Sequence, residues 1–128
     1  MAKKFVKALD GLPFSKAVIH NDPFTLEISG QIGLNPETGK LEEGIEKQTE
    51  ATFESIKNIL NEVKWDLGNL TKVRIFLTDM TNYSKVNEIY PKYFKDDFPA
   101  RVALAVKELP LGALIEIDCT ASGNIFEE

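Results

Sequence analysis

The sequence predicts an α+β fold: one mixed β-sheet with two helices packed on one face. Three observations carry this. Several segments alternate apolar and polar residues with a period of two, the pattern of a half-buried strand. Two segments repeat apolar residues at three- and four-residue spacing, which makes a helical stripe. Along the chain the order is strands, helix, strand, helix, strands, which fits an α+β layer.

The first strand signal lies in Phe24 to Ser29, where Leu26 and Ile28 flank Glu27. Ala17 to His20 is a short apolar run placed to pair with it across the turn cluster Asn21-Asp22-Pro23. Gly30 breaks the regularity, and Asn35-Pro36-Glu37-Thr38-Gly39 is a loop. The first helix follows. Ile45, Thr49, Thr52, Phe53, Ile56, Ile59, Leu60 and Val63 form its stripe, and Glu42, Glu43 and Glu46 sit near its N-terminus, where the dipole favours anions.

Val73, Ile75 and Leu77 make the next strand, with Thr78 to Asn82 as a turn rich in N-capping residues. The second helix carries Tyr83, Val86, Tyr90, Tyr93 and Phe94 on one side and has Pro91 inside it. A proline there either kinks the helix or releases the Asn87 carbonyl for another partner. Two strands end the chain. Val102, Leu104 and Val106 alternate with Ala103, Ala105 and Lys107; Leu109 to Gly112 is the turn. Ile115, Ile117, Cys119 and Ala121 then face one way and Glu116, Asp118 and Thr120 the other. These two strands are expected to form a hairpin, and the two helical passages to be right-handed crossovers where they join parallel strands. Two helices leave the other face of the sheet open, and self-association is the direct way to cover it.

The chain has 128 residues, room for one domain over 1–128 and enough to bury about two thirds of its unfolded surface. With 43% hydrophobic and 27% charged residues, neither disorder nor a fibre is indicated. One cysteine, Cys119, excludes an intrachain disulfide and a CxxC site. One histidine, His20, excludes a His-rich metal centre. The net charge of −5 argues against a nucleic-acid partner. No apolar run approaches the roughly 20 residues that span a bilayer, so no membrane partner is expected. Met1-Ala2-Lys3-Lys4 is basic, but no signal-type apolar region follows it. A soluble, cytoplasmic protein is expected.

Two residues stand out chemically. Arg101 opens a strand of small and apolar residues, where a guanidinium can grip a carboxylate with two parallel hydrogen bonds. Alternatively it pairs on the surface with Asp96 or Asp97. Glu116 interrupts an apolar run. It either lies on the wet face beside Asp118 or, partly buried, exchanges protons with a substrate or water. In the expected hairpin the two are on the order of 10–13 Å apart at ~3.3 Å per residue, so a shared site would combine them across a subunit boundary or around a ligand. Ser29-Gly30-Gln31 ends a strand, where glycine permits close approach of a ligand or simply forms a bulge. His20 reads as a loop residue and Cys119 as a packed thiol.

Taken together, these segments resemble the RidA family, also called YjgF or L-PSP. The block Pro99 to Pro110 followed by Leu114-Ile115-Glu116-Ile117 matches the family signature. Ser29 to Gly39, Gln48-Thr49, Phe76 to Met80 and Val86 to Tyr90 follow the family order. The resemblance runs from about Pro13 to Ala121. It implies a chorismate-mutase-like α+β fold and a homotrimer whose sheets form a central barrel, with ligand clefts between subunits. It implies hydrolysis of 2-imino acids such as 2-iminobutanoate and 2-iminopropanoate to 2-oxo acids and ammonia, with no metal and no cofactor. The alternative is a non-catalytic binder of small carboxylates. Ribonuclease or translation-inhibitor activity, ascribed to some members, fits the negative charge poorly.

Residue by residue, the resemblance makes Arg101 the clamp on the substrate carboxylate and Glu116 the group that positions or activates water. Ser29 and Gly30 line the cleft, and Asn87 matches a frequent family asparagine. Two positions depart from the pattern. Phe14 stands where the family often has tyrosine, so its ring lacks the hydroxyl that can hydrogen-bond substrate or water. Ala103 stands where the family often has cysteine, leaving a backbone amide but no thiol.

Overall fold

The alternating runs become strands, but their neighbours are not those that chain order suggests. The computed structural model describes residues 2–95 and 97–128; Met1 and Asp96 lie outside the described residues. The strands are β1 (Lys3–Lys7), β2 (Ser15–His20), β3 (Phe24–Ile32), β4 (Leu70–Leu77), β5 (Ala100–Ala105) and β6 (Ile115–Gly123). The helices are α1 (Gly44–Asn61) and α2 (Tyr83–Ile89). The strands form one six-stranded sheet in the order β1-β2-β5-β4-β6-β3.

Two expected pairings are corrected. β2 does not pair with β3. It pairs antiparallel with β1 and meets β5 at Ser15 opposite Ala100, while β3 lies at the far edge against β6. The lysine-rich segment Lys3–Lys7, not expected as a strand, takes the place of β3 beside β2. Nor do β5 and β6 form a hairpin. β4 runs between them, parallel to β5 and antiparallel to β6. β4 buries Leu70, Val73, Ile75 and Leu77 and runs between β5 and β6, near the middle of the sheet. Both helical passages join parallel strands, β3 to β4 and β4 to β5.

α1 forms where its stripe predicts. Thr49, Thr52, Phe53, Ile56 and Leu60 are buried against the sheet. Each fully buried Leu, Ile or Phe side chain stabilises the fold by about 1.5–3 kcal/mol. The helix ends before Val63, in a closing motif. Lys64 adopts φ +63°, its amide donates to Asn61, and the Trp65 amide donates to Leu60. α2 also ends early, at Ile89. Tyr90–Tyr93 continues as a 3₁₀ turn that contains Pro91, so the proline sits outside the α-helix rather than kinking it.

The core gathers Phe53, Ile56 and Leu60 of α1, Val86 and Tyr90 after it, and Val73, Ile75, Ile115, Ile117 and Cys119 of the sheet. Gln48, 4% exposed, ties α1 to the start of β6. Its Nε2 donates to the Glu42 carbonyl and its Oε1 accepts the Leu114 amide. The opposite face of the sheet carries Phe76, Glu116, Asp118 and Thr120 and keeps Val102 and Leu104 more than one third exposed. At the sheet ends Lys3, 2.7 Å from Asp22, also donates to the Ser122 carbonyl, and the Ser122 hydroxyl donates to Asp22.

Candidate functional site

Arg101 lies level with Val73 and, one strand further, Cys119, so its side chain leaves the sheet on the helix-covered face. There it runs into an aromatic enclosure. Its Cζ is 4.8 Å from the Tyr90 ring centroid and 5.6 Å from those of Tyr83 and Phe14. Three rings satisfy the cation's faces but only part of its edge. Nη2 donates to the Tyr83 hydroxyl at 3.0 Å, while Nη1 is buried with no partner.

Asn87 Oδ1 and the Tyr90 hydroxyl are likewise buried and unpartnered, and among the described residues no other buried side-chain polar atom is. A buried donor left empty costs about 1–3 kcal/mol, so the unpartnered guanidinium nitrogen against the unpartnered Tyr90 phenol calls for an explanation. Burial drives the Tyr90 phenol pKa far above its ordinary value, against the opposing pull of Arg101, and keeps it neutral.

Arg101 has no ion pair with Asp97, and Asp96 lies outside the described residues. The contrast with Arg74 is direct: Arg74 holds Asp118 at 2.7 Å on the other face.

Glu116 belongs to that other face. It sits half-buried between Phe76 and Ile32 in the register of the sheet. β3 is irregular between Ile28 and Gln31, and this bulge carries Ser29 and Gly30. Its bare glycine lies against the Glu116 carboxylate, and a Cβ at position 30 would overlap it. The bulge reading and the close-approach reading of Gly30 are therefore one feature, although the nearest group is a carboxylate of the same chain. Ser29 is exposed, and its carbonyl accepts from the Gln31 side chain.

The predicted residues thus fall into two groups. Phe14, Asn87, Ala103 and Arg101 belong to the β5 and α2 side; Ser29, Gly30 and Glu116 belong to the β3 and β6 side, on the opposite face. Ala103 is opposite Ile75 and packs against the core, while β5 beyond Ala100 has no ladder partner on its β2 side among the described residues. Cys119 is 1% exposed, and burial pushes its thiol up to about 12, which removes it as a nucleophile. His20 accepts the Asp22 amide through Nδ1, a local turn contact.

Tyr83 and Tyr90 were visible in the helical stripe but not as neighbours of Arg101. Their seven-residue spacing, which puts both on one face, was the signal. Elsewhere a cavity of about 650 Å³ opens between the end of α1 and the turn after α2, lined by Trp65, Tyr93, Lys57 and Lys92 among others, and holds none of the predicted residues. Among the described residues no three His, Cys, Asp or Glu side chains are grouped to hold a metal, and no helix is long and apolar enough to cross a membrane.

Known proteins match the chain over most of its length. The family model for Endoribonuclease L-PSP matches residues 7–122. A RutC family protein of Aquifex aeolicus is 49% identical over 111 residues, 85% of this chain and 87% of that one. A human protein named 2-iminobutanoate/2-iminopropanoate deaminase is 39% identical over 85% of this chain and 79% of its own. The crystal structure of RidA from an Antarctic Psychrobacter superposes with a TM-score of 0.76 at 34% identity, covering 94% of each chain. A family match of this extent, with the same mixed sheet and two helices in a solved relative, makes the chain a member of the Endoribonuclease L-PSP family, to which the RidA-type proteins belong.

Proposed function

We propose that the protein hydrolyses short 2-imino acids to 2-oxo acids and ammonia, in clefts that two copies of the chain build together within a homotrimer. The observation that carries this is the buried, unpartnered Nη1 of Arg101, in a ring enclosure to which no carboxylate among the described residues is paired. A small anion that brings its own carboxylate satisfies it, and the identity to a human protein of that activity supports the choice of imino acid. Glu116 and Gly30, on the opposite sheet face, would come from the neighbouring copy, whose docking would also cover Val102 and Leu104.

In the reaction, Arg101 holds the carboxylate and water adds to the electrophilic iminium carbon. Glu116 takes a proton from the adding water and delivers it to nitrogen; as the C–N bond breaks, the carbinol O–H gives its proton back to Glu116 and on to the departing ammonia, so the 2-oxo acid and ammonium are released. To test this, 2-iminobutanoate is generated in the assay by an amino-acid oxidase and its decay followed. The protein should accelerate decay, and Arg101→Ala should lower kcat/KM by about 100-fold or more. Decay at the buffer rate would end this reading.

One observation favours a second reading. Phe14 places a ring, but no hydroxyl, on the guanidinium. Binding of 2-oxo acids with no imine turnover would make the protein a carboxylate binder.

A further inference from the structure

We propose that Tyr83 is a ligand-contacting, specificity-determining residue of the Arg101 site, donating its phenol O–H to the carboxylate of the small acid that Arg101 holds. The inference deepens the reading above, since it rests on a carboxylate ligand at Arg101.

Three rings surround the guanidinium, and only the Tyr83 hydroxyl is hydrogen-bonded to it. Phe14 has none. Tyr90 has one, but its side chain is fully buried and makes no hydrogen bond to the arginine. Tyr83 is half-buried, and its oxygen lies 3.0 Å from Nη2. In that bond the guanidinium N–H is the donor and the phenol oxygen the acceptor. The phenol proton is therefore uncommitted, and no second protein partner takes it among the described residues. Accepting from a cation polarises the O–H and makes it a stronger donor. The free Nη1 and the Tyr83 O–H thus belong to adjacent groups, both short of an acceptor. A carboxylate has acceptor oxygens for both. A hydroxyl that the family resemblance assigns to position 14 is here supplied from position 83, on another ring against the same guanidinium.

The test uses 2-oxobutanoate, which binds without turning over, titrated calorimetrically into the intact protein and into Tyr83→Phe, Phe14→Tyr and the double variant. Tyr83→Phe should bind about tenfold more weakly at an unchanged melting temperature. Phe14→Tyr in the Tyr83→Phe background should recover part of the loss. Unchanged affinity in Tyr83→Phe would overturn the proposal. So would a loss that tracks a lower melting temperature and is not recovered by Phe14→Tyr, which would make Tyr83 a buttress only. No binding by the unaltered protein would also overturn it. Tyr83-dependent binding without imine turnover would keep this proposal and remove the deaminase reading. Turnover with affinity unchanged in Tyr83→Phe would do the reverse.

Discussion

Arg101 and Glu116 point to opposite faces of one sheet, with β4 between the strands that carry them. Arg101 is level with Val73 and Cys119 on the helix-covered face; Glu116 is level with Phe76 and Ile32 on the open one. A single chain cannot bring the two to one small ligand. If they act together, they do so from different copies.

Complementation tests this. Arg101→Ala and Glu116→Gln, each inactive alone, should regain activity when co-expressed, because about a quarter of clefts formed by random mixing pair an intact arginine with an intact glutamate. Imine consumption by the mixture is the measurement. Mixed oligomers no more active than their parents would show that no cleft spans two copies.

Gly30→Ala probes the Glu116 side of the proposed cleft. A Cβ at position 30 overlaps the Glu116 carboxylate, so the side chain or the bulge must move. Such overpacking costs about 1–3 kcal/mol. Imine turnover should fall about tenfold or more while circular dichroism stays that of the parent. Unchanged turnover would mean that the placement of Glu116 against Gly30 is immaterial.

The Asp22 cluster sets an acid limit. The hydrogen bond from Lys3 holds the Asp22 carboxyl below its usual 3.8; burial opposes this, and the Ser122 hydroxyl and the Lys3 charge reinforce it. A depressed folded pKa gives stability that is present above the unfolded pKa and is lost as pH falls through the folded one. Asp22→Asn should therefore lower Tm by about 5 °C at pH 7, and the gap should close below about pH 4. A gap that widens in acid would contradict the assignment.

Lys64 offers a stabilising change. It holds φ +63° where a helix ending of this type prefers glycine. Lys64→Gly should raise Tm by about 2–5 °C in calorimetry. A lower Tm would show that Lys64 makes a compensating contact.

Cys119 should resist thiol reagents. With its pKa pushed up to about 12, roughly 10⁻⁴ of the thiol is ionised at pH 8, and the sulfur is buried as well. Labelling should be at least about a thousandfold slower than in denaturant. Fast labelling of the native protein would mean that β6 opens readily.

Local periodicity was enough to place most strands and both helices. The α1 stripe, the split of β6 into buried Ile115, Ile117 and Cys119 against Glu116 and Asp118, and the packed state of Cys119 all follow from which side chains must leave water. Arg101, Glu116, Gly30 and Phe14 could be named because their chemistry is carried by residue type and by block order. Helix ends were less legible. Val63 continued the stripe, but the chain turns at Lys64, and Pro91 falls in a 3₁₀ turn that periodicity does not distinguish from a helix.

Strand neighbours were decided only in three dimensions. A period of two assigns a residue to a face but does not say which strand lies beside it, because every strand offers the same backbone donors and acceptors. Asn21-Asp22-Pro23 reads as a hairpin turn, yet β2 and β3 separate to opposite flanks, where β6 takes one and Lys3–Lys7 the other. The chain order of β5 and β6 suggested a pair, yet β4, with four buried apolar side chains from Leu70 to Leu77, claims the centre between them. The fold of α2 and the strands beneath it put Tyr83 and Tyr90 around Arg101. The sequence by itself determined which groups are available and which side of its strand each occupies. The tertiary structure decided which of them share a site, because that depends on long-range burial that no local pattern encodes.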